Sequence, residues 1–190
     1  MRALILGCAI LLLGACTTTP SNHYLLDTRV DTIPDASSPS LGVGPVEMPA
    51  YLRREQLVYS MGGSEVEIDN TERWAEPLEG AIGRVVSLNM AGLLQTNSVQ
   101  TYPYHQQRAP DFGVKLNIRK LDAEPTGATL IAEWLLYQPT SGNQLVRRLS
   151  QHKIGLDSSA EIAPQIPAAY SELLWKLSEE IATEIQGRLN

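Results

Sequence analysis

The residues that could do chemistry are few. The chain has two cysteines, Cys8 and Cys16, and three histidines, His23, His105 and His152. Cys8 sits inside an apolar run. Cys16 closes that run directly after Leu13-Gly14-Ala15, where its sulfur is the only thiol nucleophile at a junction of small residues. The chemistry available there is nucleophilic attack by the thiol. The histidines lack the spacing of metal ligands, and none has a carboxylate at a helical offset. No Gly-x-Ser-x-Gly elbow, Walker loop or dinucleotide loop is present. The expectation is no catalytic residue, no metal and no cofactor. Glu65, Glu67 and Asp69 alternate along one strand face and could meet a cation or a basic partner, though a solvated face is the simpler reading. Arg53-Arg54 could contact phosphate headgroups or acidic side chains, or form a solvated turn. Trp134 and Trp175 are expected in the core.

The N-terminus decides the context of this chemistry. Met1-Arg2 gives one positive charge, and Ala3 to Leu13 is almost wholly apolar. That run is far short of the ~20 residues a spanning helix needs. A basic start, a short apolar core and small residues before a junction make a secretory signal peptide over residues 1–15. Leu13-Gly14-Ala15-Cys16 resembles the lipobox of bacterial lipoproteins. That resemblance implies cleavage before Cys16, lipid on its sulfur and a membrane anchor. Two acyl chains anchor stably where one binds only marginally. Residues 16–22 read as a lipidated N-terminus and polar tether. Residue 17 is Thr rather than Asp, which favours the outer membrane and exposure to the periplasm. Once Cys8 is removed, the lipidated cysteine is the only one left, so no disulfide can form.

Removing 15 residues from the 190 leaves 175, enough for one domain over residues 23–190. The formal charge of −6 becomes −7 when Arg2 is lost. An acidic chain without a Lys/Arg block is a poor nucleic-acid ligand, because phosphate neutralisation needs clustered cations.

The elements that would position these residues follow from periodicity. Strands are expected over His23–Thr28, Leu41–Val46, Gln56–Ser60, Glu65–Asp69 and Ser98–Tyr102. The third and fourth of these, Gln56–Ser60 and Glu65–Asp69, meet at a glycine hairpin, Met61-Gly62-Gly63-Ser64. Pro45 suggests that its strand ends at an edge or leaves the sheet. Val114, Leu116 and Ile118 alternate with polar residues, Ala128–Gln138 is apolar on both faces apart from Thr129 and Glu133, as suits a central strand covered on both sides, and Gln144–Ile154 alternates again. Together these form an antiparallel meander. Leu78, Ile82, Val85, Val86 and Leu93 fall at helical spacing, predicting a helix over Glu76–Leu94 with Pro77 in its first turn. Ile166, Tyr170, Leu173, Leu174, Leu177, Ile181, Ile185 and Leu189 predict a second. The pattern is α/β, with a mixed, mostly antiparallel sheet and two long amphipathic helices.

Two stretches resemble a known family. Pro49-Ala50-Tyr51-Leu52-Arg53-Arg54-Glu55-Gln56-Leu57-Val58 is similar to its Pro-x-x-Leu-x-Arg-x-x-(Leu/Ile)-Val segment. Glu72-Arg73-Trp74-Ala75-Glu76-Pro77-Leu78 is similar to its Arg/Gln-Trp-Ala-(Glu/Asp)-Pro-Leu segment. The family is the ABC-type transport auxiliary lipoproteins, and within it the paraquat-inducible PqiC type. The resemblance implies a three-layer α/β/α fold like the anticodon-binding-like domains. It implies an outer-membrane lipoprotein, with no enzymatic activity, that works with a periplasmic MCE-domain protein and an inner-membrane permease-like protein to move lipid between membranes. By carry-over, Trp74, Pro77 and Leu78 shape the turn into the first helix, and Leu52, Arg53 and Arg54 are candidates for partner contact. A lipid carrier with its own apolar cavity is the alternative, and self-association stays open.

Overall fold

The computed structural model describes residues 20–105 and 108–189. Cys16, the leader and residues 17–19 of the tether lie outside the described residues. The elements run β1 (Asn22–Tyr24), β2 (Leu41–Glu47), β3 (Gln56–Gly62), β4 (Glu65–Trp74), α1 (Leu78–Leu93), β5 (Val99–Thr101), β6 (Phe112–Glu124), β7 (Gly127–Tyr137), β8 (Gln144–Gly155) and α2 (Ile166–Leu189). The class is α/β, as the periodicity predicts. Both helices and the meander fall within a few residues of their expected limits.

The strands form two sheets rather than one. A three-stranded sheet has the order β1-β4-β3, and a five-stranded sheet has the order β5-β2-β6-β7-β8. In the large sheet β2 runs parallel to both neighbours, while β6, β7 and β8 pair antiparallel. In the small sheet the β3–β4 hairpin turns at Gly62 and Gly63, with φ of 110° and 73°. Both angles suit glycine, which has no Cβ to clash. β1 is shorter than expected because the chain leaves the sheet after Tyr24 to bury Leu26 in the core. Beyond it, the Thr28 hydroxyl donates to Asn89 Oδ1 of α1 at 2.6 Å.

Pro45 lies where the ladder is interrupted. It sits inside β2, beyond Val43 where the pairing with β5 ends, so its β5 side is a local edge, while β6 pairs again from Val46. The register with β6 shifts between Val43 and Val46, and Gly44 there has φ 115°. This irregularity absorbs the missing N–H that a regular ladder would require.

The order of layers also differs from the α/β/α sandwich that the resemblance implies. A Cβ on Gly83 of α1 would lie 3.6 Å from Val46 Cγ2. Val46 pairs with Leu116, Leu116 with Trp134, and Trp134 with Arg148. Arg148 in turn reaches Glu180 and Glu184 of α2 at 3.3 and 3.4 Å. Both helices therefore lie on the same face of the large sheet. The opposite face carries Lys115, Arg119, Glu133 and Arg147, with Glu133 held between Arg119 (2.6 Å) and Arg147 (2.7 Å). A face that satisfies its charges in water needs no covering layer. Ile131 and Leu135 of β7 are accordingly only partly buried there, which corrects the expectation that this strand is covered on both sides.

The core lies between the helices and the inner sheet face, centred on Val85, Leu116, Leu130, Trp134, Leu173, Leu174 and Leu177. Trp134 is fully buried, and its indole N–H donates to Ser150 Oγ at 2.9 Å. Trp175, expected in the core, is instead partly exposed, with the Arg29 guanidinium 5.4 Å from its ring centre. Its helical position turns it about 100° from Leu174, off the buried stripe.

Candidate partner interface

The two motif stretches, about twenty residues apart in sequence, fold into one corner. After β2 the chain makes a single 3-10 turn, Ala50–Arg53, closed by the Leu52 N–H donating to the Pro49 carbonyl at 3.1 Å. The turn presents alternate directions. Leu52 points inward and is 3% exposed, while Tyr51, Arg53 and Arg54 are on the surface. This corrects the expectation for Leu52: a side chain already packed into the core is not available to a partner. The contact reading narrows to Arg53 and Arg54.

The second stretch closes β4 and launches α1. The Trp74 N–H donates to the Glu55 carbonyl at 2.6 Å, and the Ala75 N–H to the Tyr24 carbonyl at 2.8 Å. Three strand segments are thereby pinned at one point. The Trp74 ring is 6% exposed and stacks on Tyr170 of α2, with ring centres 6.1 Å apart and planes at 27°. Pro77 takes the position just before α1, at φ −56° and ψ 123°. It has no N–H to leave unpaired, and its carbonyl accepts from Ala81 at 3.1 Å. Leu78 is buried.

Charges tie the stretches together on the outside. Arg53 Nε stands 3.5 Å from Glu79 in the first turn of α1, and Arg73 Nη1 stands 3.5 Å from Glu55. Glu79 near the helix start is also well placed for the helix dipole. Arg84 links the corner to the chain leaving β1 through Glu76 (2.6 Å) and the Leu26 carbonyl (3.0 Å). Burial pushes the Tyr51 phenol up, and Asp122 nearby adds to it. Asp122 itself is pushed up by burial, against the pull of Lys120. The corner offers contact chemistry on a stiff frame: two outward guanidiniums, exposed carboxylates and a phenol, over a buried Trp74–Tyr170 stack.

The other sequence candidates fall elsewhere. Glu65 and Glu67 are exposed on β4. Asp69 turns toward its own backbone and accepts from the N–H of Thr71 (2.8 Å) and of Glu72 (3.0 Å). His152, read as a plain strand residue, meets Glu180 at 3.1 Å. Glu180 also accepts from Ser150 at 2.8 Å and pairs with Arg148 at 3.3 Å. No local signal could announce that cluster, because strand and helix are brought together only by the fold.

Fold and corner together define an α/β domain whose two sequence motifs share one structural joint. Among the described residues no helix is long and apolar enough to cross a membrane. The chain belongs to the ABC-type transport auxiliary lipoprotein component family, whose model matches residues 24–182. Solved structures share the fold. One of an uncharacterised protein superposes with a TM-score of 0.70 at 19% identity, covering 88% of this chain and 99% of that one. Another, from Xanthomonas campestris, gives 0.68 at 16% identity, covering 89% and 98%. A search of curated proteins by sequence finds no match.

Proposed function

We propose that this lipoprotein is the outer-membrane-anchored docking subunit of an MCE-type intermembrane lipid transport system. It binds rather than catalyses. Its lipid on Cys16 fixes it to the membrane, and its folded domain holds the periplasmic MCE-domain protein, whose other end meets an inner-membrane permease-like protein. The observation that carries this reading is the shared corner, where Arg53 and Arg54 are exposed and the neighbouring motif buries Trp74 against Tyr170. Family membership supplies the transport context. The physical need is plain: each lipid methylene exposed to water costs ~0.8 kcal/mol, so lipid requires a sheltered, docked route.

The test is crosslinking in cells, affinity purification of the full-length protein and mass spectrometry. Docking predicts recovery of an MCE-domain protein that is lost with Cys16→Ala and with Arg53→Ala/Arg54→Ala. Recovery of phospholipid without any envelope transporter would overturn it in favour of a carrier. One feature keeps the carrier reading in view: an open cleft of about 490 Å³ between α1 and β5, with Ile33, Leu88, Ala91 and Val99 in its walls.

A further inference from the structure

The β3–β4 hairpin stands out from the fold. Glu65, Val66, Glu67 and Ile68 follow one another along β4, and all are exposed. A strand packed on one side buries every second residue. Among the described residues, then, no layer covers either face of this stretch. Val66 and Ile68 share one face, and Glu65 and Glu67 share the other. With Met61 beside the turn, large apolar side chains 56%, 49% and 36% exposed gather at residues 61, 66 and 68. Other exposed leucines, Leu25, Leu149 and Leu189, lie singly along the chain, and single ones need no explanation.

The direction of the chain says what meets this hairpin. β1 runs parallel to β4, with Asn22 opposite Glu72 and Tyr24 opposite Trp74. Followed backwards from Asn22, β1 therefore points along β4 from Glu72 towards Glu65 and the turn. Cys16 lies six residues before Asn22, and Val66 lies six residues before Glu72. Six residues of chain reach at most about 20 Å, and six residues of strand rise about 20 Å. A lipid on Cys16 thus keeps Asn22 within about 20 Å of the bilayer, a gap that the hairpin spans from the same end.

Charge narrows the contact. Residues 55–72 contain no lysine, arginine or histidine. The hairpin therefore has nothing to gain from anionic headgroups, and its apolar side chains must supply the attraction. One lipid anchor and one apolar contact also add as two signals on the same surface.

We propose that the β3–β4 hairpin rests in the interface of the bilayer that holds the Cys16 lipid, with Val66 and Ile68 turned to lipid and Glu65 and Glu67 to water. The inference rests on the lipid anchor at Cys16 and not on the transport partners proposed above.

The test uses the full-length lipoprotein in phosphatidylcholine vesicles. With Cys8 removed and Cys16 lipidated, no other thiol is present, so Val66→Cys, Ile68→Cys, Glu67→Cys and Leu149→Cys each take one nitroxide label. Collision with oxygen, relative to a water-soluble nickel chelate, reads the depth of each label. The ratio is expected to be several-fold higher at positions 66 and 68 than at 67 and 149. Leu149 is an exposed leucine of β8 and controls for a surface apolar site. Vesicle flotation reports the anchor separately. Protein that floats with equal ratios at all four positions overturns the hairpin contact and leaves the anchor standing. Protein that does not float overturns the anchor, and the hairpin contact with it.

Discussion

Replacing Trp74 with alanine separates architecture from contact at the motif corner. The indole is 6% exposed and stacked on Tyr170. A buried tryptophan covers ~150–250 Å², which at ~25 cal/mol per Å² is worth about 4–6 kcal/mol. Measured losses for large aromatic truncations are about 3–5 kcal/mol, because the site relaxes around the void. The stack itself accounts for about 0.5–1.5 kcal/mol. The backbone bond from Trp74 N–H to the Glu55 carbonyl survives the change, so the loss should fall at the low end, near 3 kcal/mol. For a domain of this size that lowers Tm by roughly 6–12 °C. The assay is urea denaturation of Trp74→Ala beside Arg53→Ala/Arg54→Ala, compared at equal m. The arginines are exposed, and the Arg53–Glu79 pair at 3.5 Å is open to solvent, so their removal should change stability by less than about 1 kcal/mol. A loss below about 1 kcal/mol for Trp74→Ala would refute the architectural account and move the indole to the contact surface.

Other outcomes follow from the same geometry. Ser150→Ala removes the acceptor of the buried Trp134 indole and one donor to Glu180, so it should cost about 1–3 kcal/mol by chemical denaturation. Asp111 is held below its ordinary value by the N–H and hydroxyl of Ser40, so its contribution is complete above the usual carboxylate range. That contribution should fade as pH drops through the lower folded value. Asp111→Asn should cost roughly 1 kcal/mol at neutral pH and flatten the acid limb of a Tm-against-pH curve. Gly42→Ala places a Cβ 2.5 Å from Tyr104 Cε1 and 2.9 Å from Pro110 Cγ, so Tm should fall by several degrees.

Much of the fold is legible in the sequence because it is local. The stripe from Ile166 to Leu189 fixes α2 at its observed limits. Trp74-Ala75-Glu76-Pro77 marks the joint into α1, since a proline before a helical period can hardly sit elsewhere. What stays hidden depends on distant partners. The parallel pairing of β1 with β4 joins residues fifty apart and splits off a second sheet that no periodicity announces. That α1 and α2 share one face is decided by where the chain crosses over, and only the charged pairs Arg119–Glu133–Arg147 hint at an open opposite face. At the site, Arg53 and Arg54 read correctly as surface residues. Leu52 between Tyr51 and Arg53 reads as part of the same patch until the 3-10 turn folds it inward. The cluster of Ser150 and His152 with Glu180 stays hidden because the helix reaches it about thirty residues later.

The short strand at the start of the described chain has a mechanical meaning. Any tension arriving along the segment before Asn22 enters the fold through β1, whose three pairs with β4 join Asn22, His23 and Tyr24 to Glu72, Arg73 and Trp74. Pulled along its axis, a strand loads all its rungs together in shear, whereas pulled sideways it unzips one rung at a time. Just beyond the last rung, the Tyr24 carbonyl is fastened to Ala75 at 2.8 Å, at the joint held by Trp74 and Pro77. Tension on the segment before Asn22 would thus reach the joint beside the corner that presents Arg53 and Arg54.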